Sequence, residues 1–130
     1  MKVLLDTNAF LWQVGSPSAN KLGAQAKQTM QDAMVVYVSA VTLAEMHIKT
    51  MIGKLNAPHD CQRMVLEAGD ELLSWSPAAA DALRDFPQLA RHDPFDRFLL
   101  AQARTEGLVF LTSDATLLSL GLDFIQDARL

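Results

Sequence analysis

Four short, largely apolar runs punctuate the chain: Val3–Leu5, Val35–Val38, Leu72–Trp75 and Val109–Leu111, with a weaker fifth at Asp123–Ile125. The runs are too short for helices and show no strict polar alternation, the pattern of strands buried on both faces. The intervening segments carry helical signals. Ala9–Val14 reads as a short helix ended by the Gly15-Ser16-Pro17 punctuation, and Ser18 as the cap of a helix reaching about Asp32. Val41–Ile52 reads as a helix stopped by Gly53, while Pro58–Ala68 and Pro77–Leu83 each place proline in a plausible first turn. Pro94–Glu106 reads as a helix with Gly107 at its end. Strands alternating with helices predict an α/β fold: a three-layer α/β/α sandwich around a central, mainly parallel sheet of four to five strands. In such sheets a ligand sits beyond the carboxyl ends of the strands, where strand order reverses. Functional side chains are therefore expected just after strands or at nearby helix starts.

Composition narrows the picture. The chain has 130 residues, half of them apolar, with no internal repeat or long linker, and we expect one domain over 1–130. No apolar run approaches the roughly 18 residues of a membrane span, and the opening Met1–Leu5 segment lacks a signal-peptide layout. The single cysteine, Cys61, excludes an internal disulfide framework and fits a reducing cytoplasm; it reads as a small helical side chain rather than a nucleophile. The formal charge of −4 is unlike a broad phosphate-binding surface. Either nucleic acid is not the ligand, or the negative excess is gathered at one cation-holding site.

The acids favour the second alternative. Asp6 directly follows Val3-Leu4-Leu5, and Asp114 follows Val109–Leu111 with only Thr112 and Ser113 between. Each alone reads more readily as a helix N-cap; two of them on neighbouring parallel strands would share one sheet edge, which shifts the balance toward a site. Glu45 lies at the edge of an apolar helical stripe formed by Val41, Ala44, Ile48 and Ile52, so it either faces inward or pairs at the rim with Lys49, its i+4 neighbour. On Pro94–Glu106, Phe95, Phe98, Leu99, Leu100 and Ala103 make the apolar face; Asp96 falls between Ala103 and Leu100, while Arg97 and Arg104 fall on the polar side. Asp93 before Pro94 reads as an N-cap, and the helix dipole alone accounts for an acid at Asp96, though not for its inward direction.

Four carboxylates at one place repel one another unless cations intervene. Their hard oxygens suit Mg2+ or Mn2+. Zinc would call for His or Cys ligands, and His47, His59 and His92 are scattered without ligand spacing; they read as surface or local hydrogen-bonding residues. Thr7, Asn8, Thr112 and Ser113 supply neutral groups able to orient the carboxylates. Arg91, Arg97, Arg104, Lys49 and Lys54 are candidates to meet a polyanion around the pocket, or plain solvated surface.

These blocks, Leu4-Leu5-Asp6-Thr7-Asn8, Val38-Ser39 through Leu43-Ala44-Glu45, His92-Asp93-Pro94-Phe95-Asp96-Arg97 and Leu111-Thr112-Ser113-Asp114, resemble in order the motifs of PIN domains. They are most similar to the VapC-like toxin ribonucleases of type II toxin–antitoxin systems. The resemblance spans Asp6 to Ile125, and the Asp-Pro-Phe-Asp-Arg block is its most specific part. It places the family's acidic quartet on Asp6, Glu45, Asp96 and Asp114, and it leaves Asp93 as a fifth acid of open role. Some relatives carry His where this chain has Asn8. The resemblance implies Mg2+- or Mn2+-dependent endonucleolytic cleavage of RNA by metal-activated water, a homodimer, and a small antitoxin that occludes the site. Asp6 and Asp96 would then hold the main ion, with Asp114 and Glu45 completing the site or Glu45 acting as general base. Phe10, Leu11 and Trp12 would line a groove for a partner helix or else belong to the core.

The rival functions are a noncatalytic PIN-like module binding RNA or protein, and a related nuclease acting on DNA. Receiver domains carry adjacent acids after the first strand, which Leu5-Asp6 lacks. Aspartate-nucleophile phosphatases carry Asp-x-Asp where this chain has Asp6-Thr7-Asn8.

Overall fold

The computed structural model describes residues 1–15 and 21–130. Five strands form one sheet in the order β3-β2-β1-β4-β5: β1 (Lys2–Leu5), β2 (Val35–Ser39), β3 (Glu71–Leu73), β4 (Val109–Thr112) and β5 (Ile125–Asp127). Every pairing is parallel, with Leu4 opposite Tyr37 on one side and Phe110 on the other. Helices cover both faces: α1 (Thr7–Val14), α2 (Ala24–Asp32), α3 (Ala40–Met51), α4 (Cys61–Glu67), α5 (Pro77–Asp81), α6 (Pro94–Glu106) and α7 (Ala115–Leu118). The expected α/β/α sandwich with a parallel sheet is therefore what the chain forms.

The period of two along each strand divides the core between two layers. Val3, Leu5, Val38 and Leu111 face one side, where Ala9, Phe10, Ala26, Cys61 and Val65 close over them. Leu4 and Phe110 face the other side, against Leu89, Leu99, Leu100 and Ala103. Strand order reverses between β1 and β4, so a crevice opens at their carboxyl ends.

Element boundaries differ from expectation for local reasons. α1 begins at Thr7 rather than Ala9, because the Asp6 carboxylate accepts from Ala9 N and caps the turn. α4 begins at Cys61 under an Asp60 cap, so Pro58 precedes the helix instead of opening it. Pro77 does open α5, which ends at Asp81 and continues as a 3-10 turn, Ala82–Asp85. α2 starts at Ala24, and Ser18 lies outside the described residues. β3 starts earlier than Leu72–Trp75 suggested, and β5 lies two residues beyond Asp123–Ile125, where Asp127 comes into register with Thr112. Gly53 (φ 78°) and Gly107 (φ 67°) do end their helices, each in the left-handed conformation that side chains disfavour.

The inward face of α3 is a substantive correction. Val41, Thr42, Glu45 and Met46 are buried, whereas Ala44, Ile48 and Ile52 of the apolar stripe are exposed. Glu45 lies on the buried face itself and not on the edge of an apolar one.

Candidate active site

Four elements deliver the acids to one place. Asp6 ends β1, Glu45 lies one turn into α3, Asp96 is in the first turn of α6, and Asp114 follows β4. Together with Thr7, Asn8, Lys49, Asp93, Ser113, Ala115 and Arg129 they line a cavity of about 380 Å3 at the strand-order reversal.

Capping and site-building are not alternatives here, because each strand-end carboxylate does both. Asp6 Oδ1 accepts from Ala9 N at 2.7 Å and caps α1, while Oδ2 accepts from Thr112 Oγ1 at 2.8 Å and Ser113 N at 2.9 Å. Asp114 Oδ1 accepts from Leu117 N at 2.9 Å and caps α7, leaving Oδ2 3.1 Å from His92 Nε2. The two readings of Glu45 merge in the same way: it is 5 % exposed, accepts from Thr7 Oγ1 at 2.6 Å, and also binds the Lys49 ammonium. Asp93 Oδ1 accepts from Phe95 N and Asp96 N and caps α6 as expected.

The neutral residues act as braces. Thr7 Oγ1 also lies 3.2 Å from Thr42 Oγ1, Asn8 Nδ2 donates to Ser113 Oγ at 3.2 Å, and Thr112 Oγ1 accepts from Asp114 N at 3.1 Å. Thr112 thus ties Asp6 to the turn that carries Asp114.

Charge is unevenly compensated. Burial holds Asp6 above the usual carboxylate range, outweighing Ala9 N, Ser113 N and the Thr112 hydroxyl that favour its ionised form; Glu45 adds to the rise. Lys49 is held above the usual lysine range, chiefly by its hydrogen bond to Glu45. Asp96 is pushed up to about 8, by burial first and then by the charges of Asp114, Asp93, Asp6 and Glu45. Among the described residues no hydrogen bond is donated to its carboxylate; His92 Nε2, at 3.5 Å from Oδ2, is its one salt-bridge partner. A set of hard oxygen donors that resists joint ionisation fits a divalent cation such as Mg2+ or Mn2+.

Three placements depart from the sequence reading. Arg97 does not line the acidic cavity: its Nη1 donates to Ala90 O at 3.1 Å, and it borders a separate cavity with Leu83, Phe86 and Pro87. Arg129, which sequence reasoning missed, does line the acidic cavity and donates from Nη1 to Ser113 O at 3.2 Å. No local motif marks Arg129; it arrives because β5 pairs with β4. His92, read as a surface or local residue, reaches both Asp96 and Asp114. The i+4 spacing from His92 to Asp96, across the start of α6, was the available signal. His47 and His59 are exposed, as expected.

Phe10 is fully buried core, whereas Trp12 borders an open cavity of about 410 Å3 with Leu22, Met30 and Val36. Cys61 is buried, its thiol donates to Pro58 O at 3.1 Å, and burial raises its pKa, against any nucleophilic role.

A doubly wound parallel sheet with an acidic crevice at its switch point is the class these features define. The chain belongs to the PIN-domain family, whose model matches residues 3–121. Comparison with curated protein sequences gives no significant match. Among solved structures the fold is similar to a toxin–antitoxin complex from Klebsiella pneumoniae (19 % identity, TM-score 0.65, 97 % of each chain covered). It is also similar to VapBC2 from Rickettsia felis bound to a promoter DNA fragment (12 %, 0.68, 98 % of each chain) and to DNA-bound VapBC from Salmonella typhimurium (20 %, 0.66, 98 % of each chain).

Proposed function

We propose that this PIN-domain chain is a divalent-metal-dependent endoribonuclease, the toxin of a toxin–antitoxin pair. The observation that carries the reading is the convergence of Asp6, Glu45, Asp96 and Asp114, from four elements, on one cavity at the sheet's switch point. Asp6, Asp96 and Asp114 would hold Mg2+ or Mn2+, with Glu45 completing the set. When bound, such an ion supplies a Lewis acid that acidifies water and offsets charge on a phosphodiester.

The chain's own residues do the rest. Thr112 and Ser113 N fix the Asp6 carboxylate, so its orientation is set before substrate arrives. Where Glu45, oriented by Thr7 and shared with Lys49, does not hold the ion, it would instead accept the proton of the attacking water. Arg129 and Lys49 at the cavity wall would meet the RNA backbone. Asn8 and Asp93 border the same opening as substrate contacts or braces.

An antitoxin partner is supported by the likeness to a toxin–antitoxin complex from Klebsiella pneumoniae. A small antitoxin would cover the acidic crevice. A homodimer is supported by Ile48, Met51 and Ile52 on α3, which are 46 %, 84 % and 61 % exposed. Among the described residues no helix is long and apolar enough to cross a membrane. In the proposed reading residues 1–130 form a PIN domain acting in the cytoplasm, where its RNA substrate would be.

The test is cleavage of a panel of structured and single-stranded RNAs, with DNA of matching sequence, in Mg2+, Mn2+ or EDTA. RNA cutting that needs the ion and is lost in Asp6→Asn is the expected result. Cutting of DNA alone would replace RNA with DNA as substrate. Metal binding without cutting of either would favour a binding module.

A further inference from the structure

The oxygen ligands of the acidic cavity are not equally available to a cation. Asp6 already accepts three hydrogen bonds, two of them from backbone N–H groups. Glu45 is taken up by Thr7 and the Lys49 ammonium. Asp96 accepts no hydrogen bond among the described residues, and Asp114 Oδ2 meets only His92. The negative charge that protein groups leave unanswered therefore lies at the Asp96–Asp114 edge, and an imidazole nitrogen stands there.

His92 Nε2 is 3.1 Å from Asp114 Oδ2 and 3.5 Å from Asp96 Oδ2, and the three atoms lie within 4.8 Å of one another. Adjacent ligands of an octahedral ion bound at about 2.1 Å are about 3.0 Å apart, close to the separations of Nε2 from the two carboxylate oxygens. The backbone at His92 is anchored: its N donates to Leu89 O at 2.9 Å on the 3-10 turn Pro87–Leu89, and its side chain is only 21 % exposed. It stands outside the residues that line the cavity and meets the two carboxylates at the cavity wall. An ion it touches would sit at that wall rather than beside Glu45.

We infer that His92 supplies an imidazole nitrogen to the cation held by Asp96 and Asp114, making a mixed nitrogen–oxygen site that favours Mn2+ over Mg2+. The inference rests on the reading of the acidic cavity as a divalent-metal site. Mg2+ is bound through carboxylate, phosphate and water oxygens, whereas imidazole suits first-row transition ions. Replacing one oxygen by Nε2 shifts the preference accordingly.

The test uses Mn2+ alone as the probe, with the whole chain. Pulsed electron paramagnetic resonance of Mn2+-loaded protein reports nitrogen coupling to the ion, assigned by labelling histidine with 15N. Wild type shows that coupling and His92→Gln does not. Competition calorimetry should also show the Mn2+-over-Mg2+ preference falling about 10-fold in His92→Gln, the scale expected for altering a site's ligand environment. Mn2+ bound to wild type without histidine coupling overturns the inference and leaves the metal site standing. Absence of Mn2+ binding overturns both. The wild-type spectrum decides the matter even if His92→Gln does not fold.

Discussion

The two halves of the acidic crevice are built on opposite principles. On one side, Asp6 and Glu45 are 3 % and 5 % exposed and enclosed by protein donors: Ala9 N, Ser113 N, Thr112, Thr7 and Lys49. On the other, Asp96 and Asp114 are each 23 % exposed at the side chain, Asp96 receives no hydrogen bond among the described residues, and burial, followed by the charges of the neighbouring acids, raises Asp96 to about 8. The first half is braced by hydrogen bonds, although burial still holds Asp6 above the usual carboxylate range. The second carries acids that receive few protein donors. In the proposed reading, the first half would orient the site and the second would take up the ion.

Removing one acid from each half should expose the difference. Asp96→Asn and Asp6→Asn are both expected to reduce RNA cleavage by at least about 10^2–10^3-fold, because each removes preorganised charge from the reacting centre. Their effects on stability should be opposite. An amide at Asp6 turns an NH2 toward groups that already donate, and we expect a loss of about 1–3 kcal/mol in denaturant unfolding. An amide at Asp96 removes a poorly compensated charge, so Asp96→Asn should melt above wild type in metal-free buffer at pH 8. Equal melting changes in the two variants would erase the distinction between the halves.

The pH dependence sharpens it. A carboxylate whose folded pKa is raised binds its proton more tightly in the native state, so stability is lost as pH rises from the unfolded value toward the folded one. For Asp96 the window runs from about 4 to about 8. Asp70, which borders a separate cavity and accepts from Gln13, is pushed up to about 6 by burial and contributes the same sign over a shorter window. Metal-free melting temperature should therefore fall from pH 4 to 8. Asp70→Asn should remove mainly the lower part of that fall and Asp96→Asn the upper part.

The smallest effects are expected at the basic residues. Arg129→Ala should weaken RNA binding and reduce the salt slope by about 1, as for loss of one phosphate contact. Arg97→Ala should leave that slope unchanged, because its guanidinium is held at Ala90 O beside another cavity. A fluorescence titration over a salt series checks both.

Much of the architecture was legible because buried parallel strands leave unbroken apolar runs and helices carry their caps. Asp6 and Asp114 were visible for the same reason: an acid directly after a central strand has few places to go but the carboxyl edge of the sheet. Three features were not legible. On α3 the apolar stripe through Ile48 and Ile52 points to solvent, while the buried face includes Thr42 and Glu45, so periodicity selected the wrong side. A helix that supplies a pocket acid must turn polar atoms inward, which defeats an amphipathic reading. Arg129 depends on a strand pairing between distant segments and leaves no local pattern, while His92 leaves only its i+4 spacing to Asp96, across a loop-to-helix junction at Pro94.

The central claim, that a cation completes the Asp96–Asp114 half, is tested most directly by melting wild type and Asp96→Asn at pH 8 with and without Mn2+. Without the ion Asp96→Asn should be the more stable; with it wild type should rise and the order reverse. A wild-type melting temperature unmoved by Mn2+, or an equal rise in both proteins, would contradict the account.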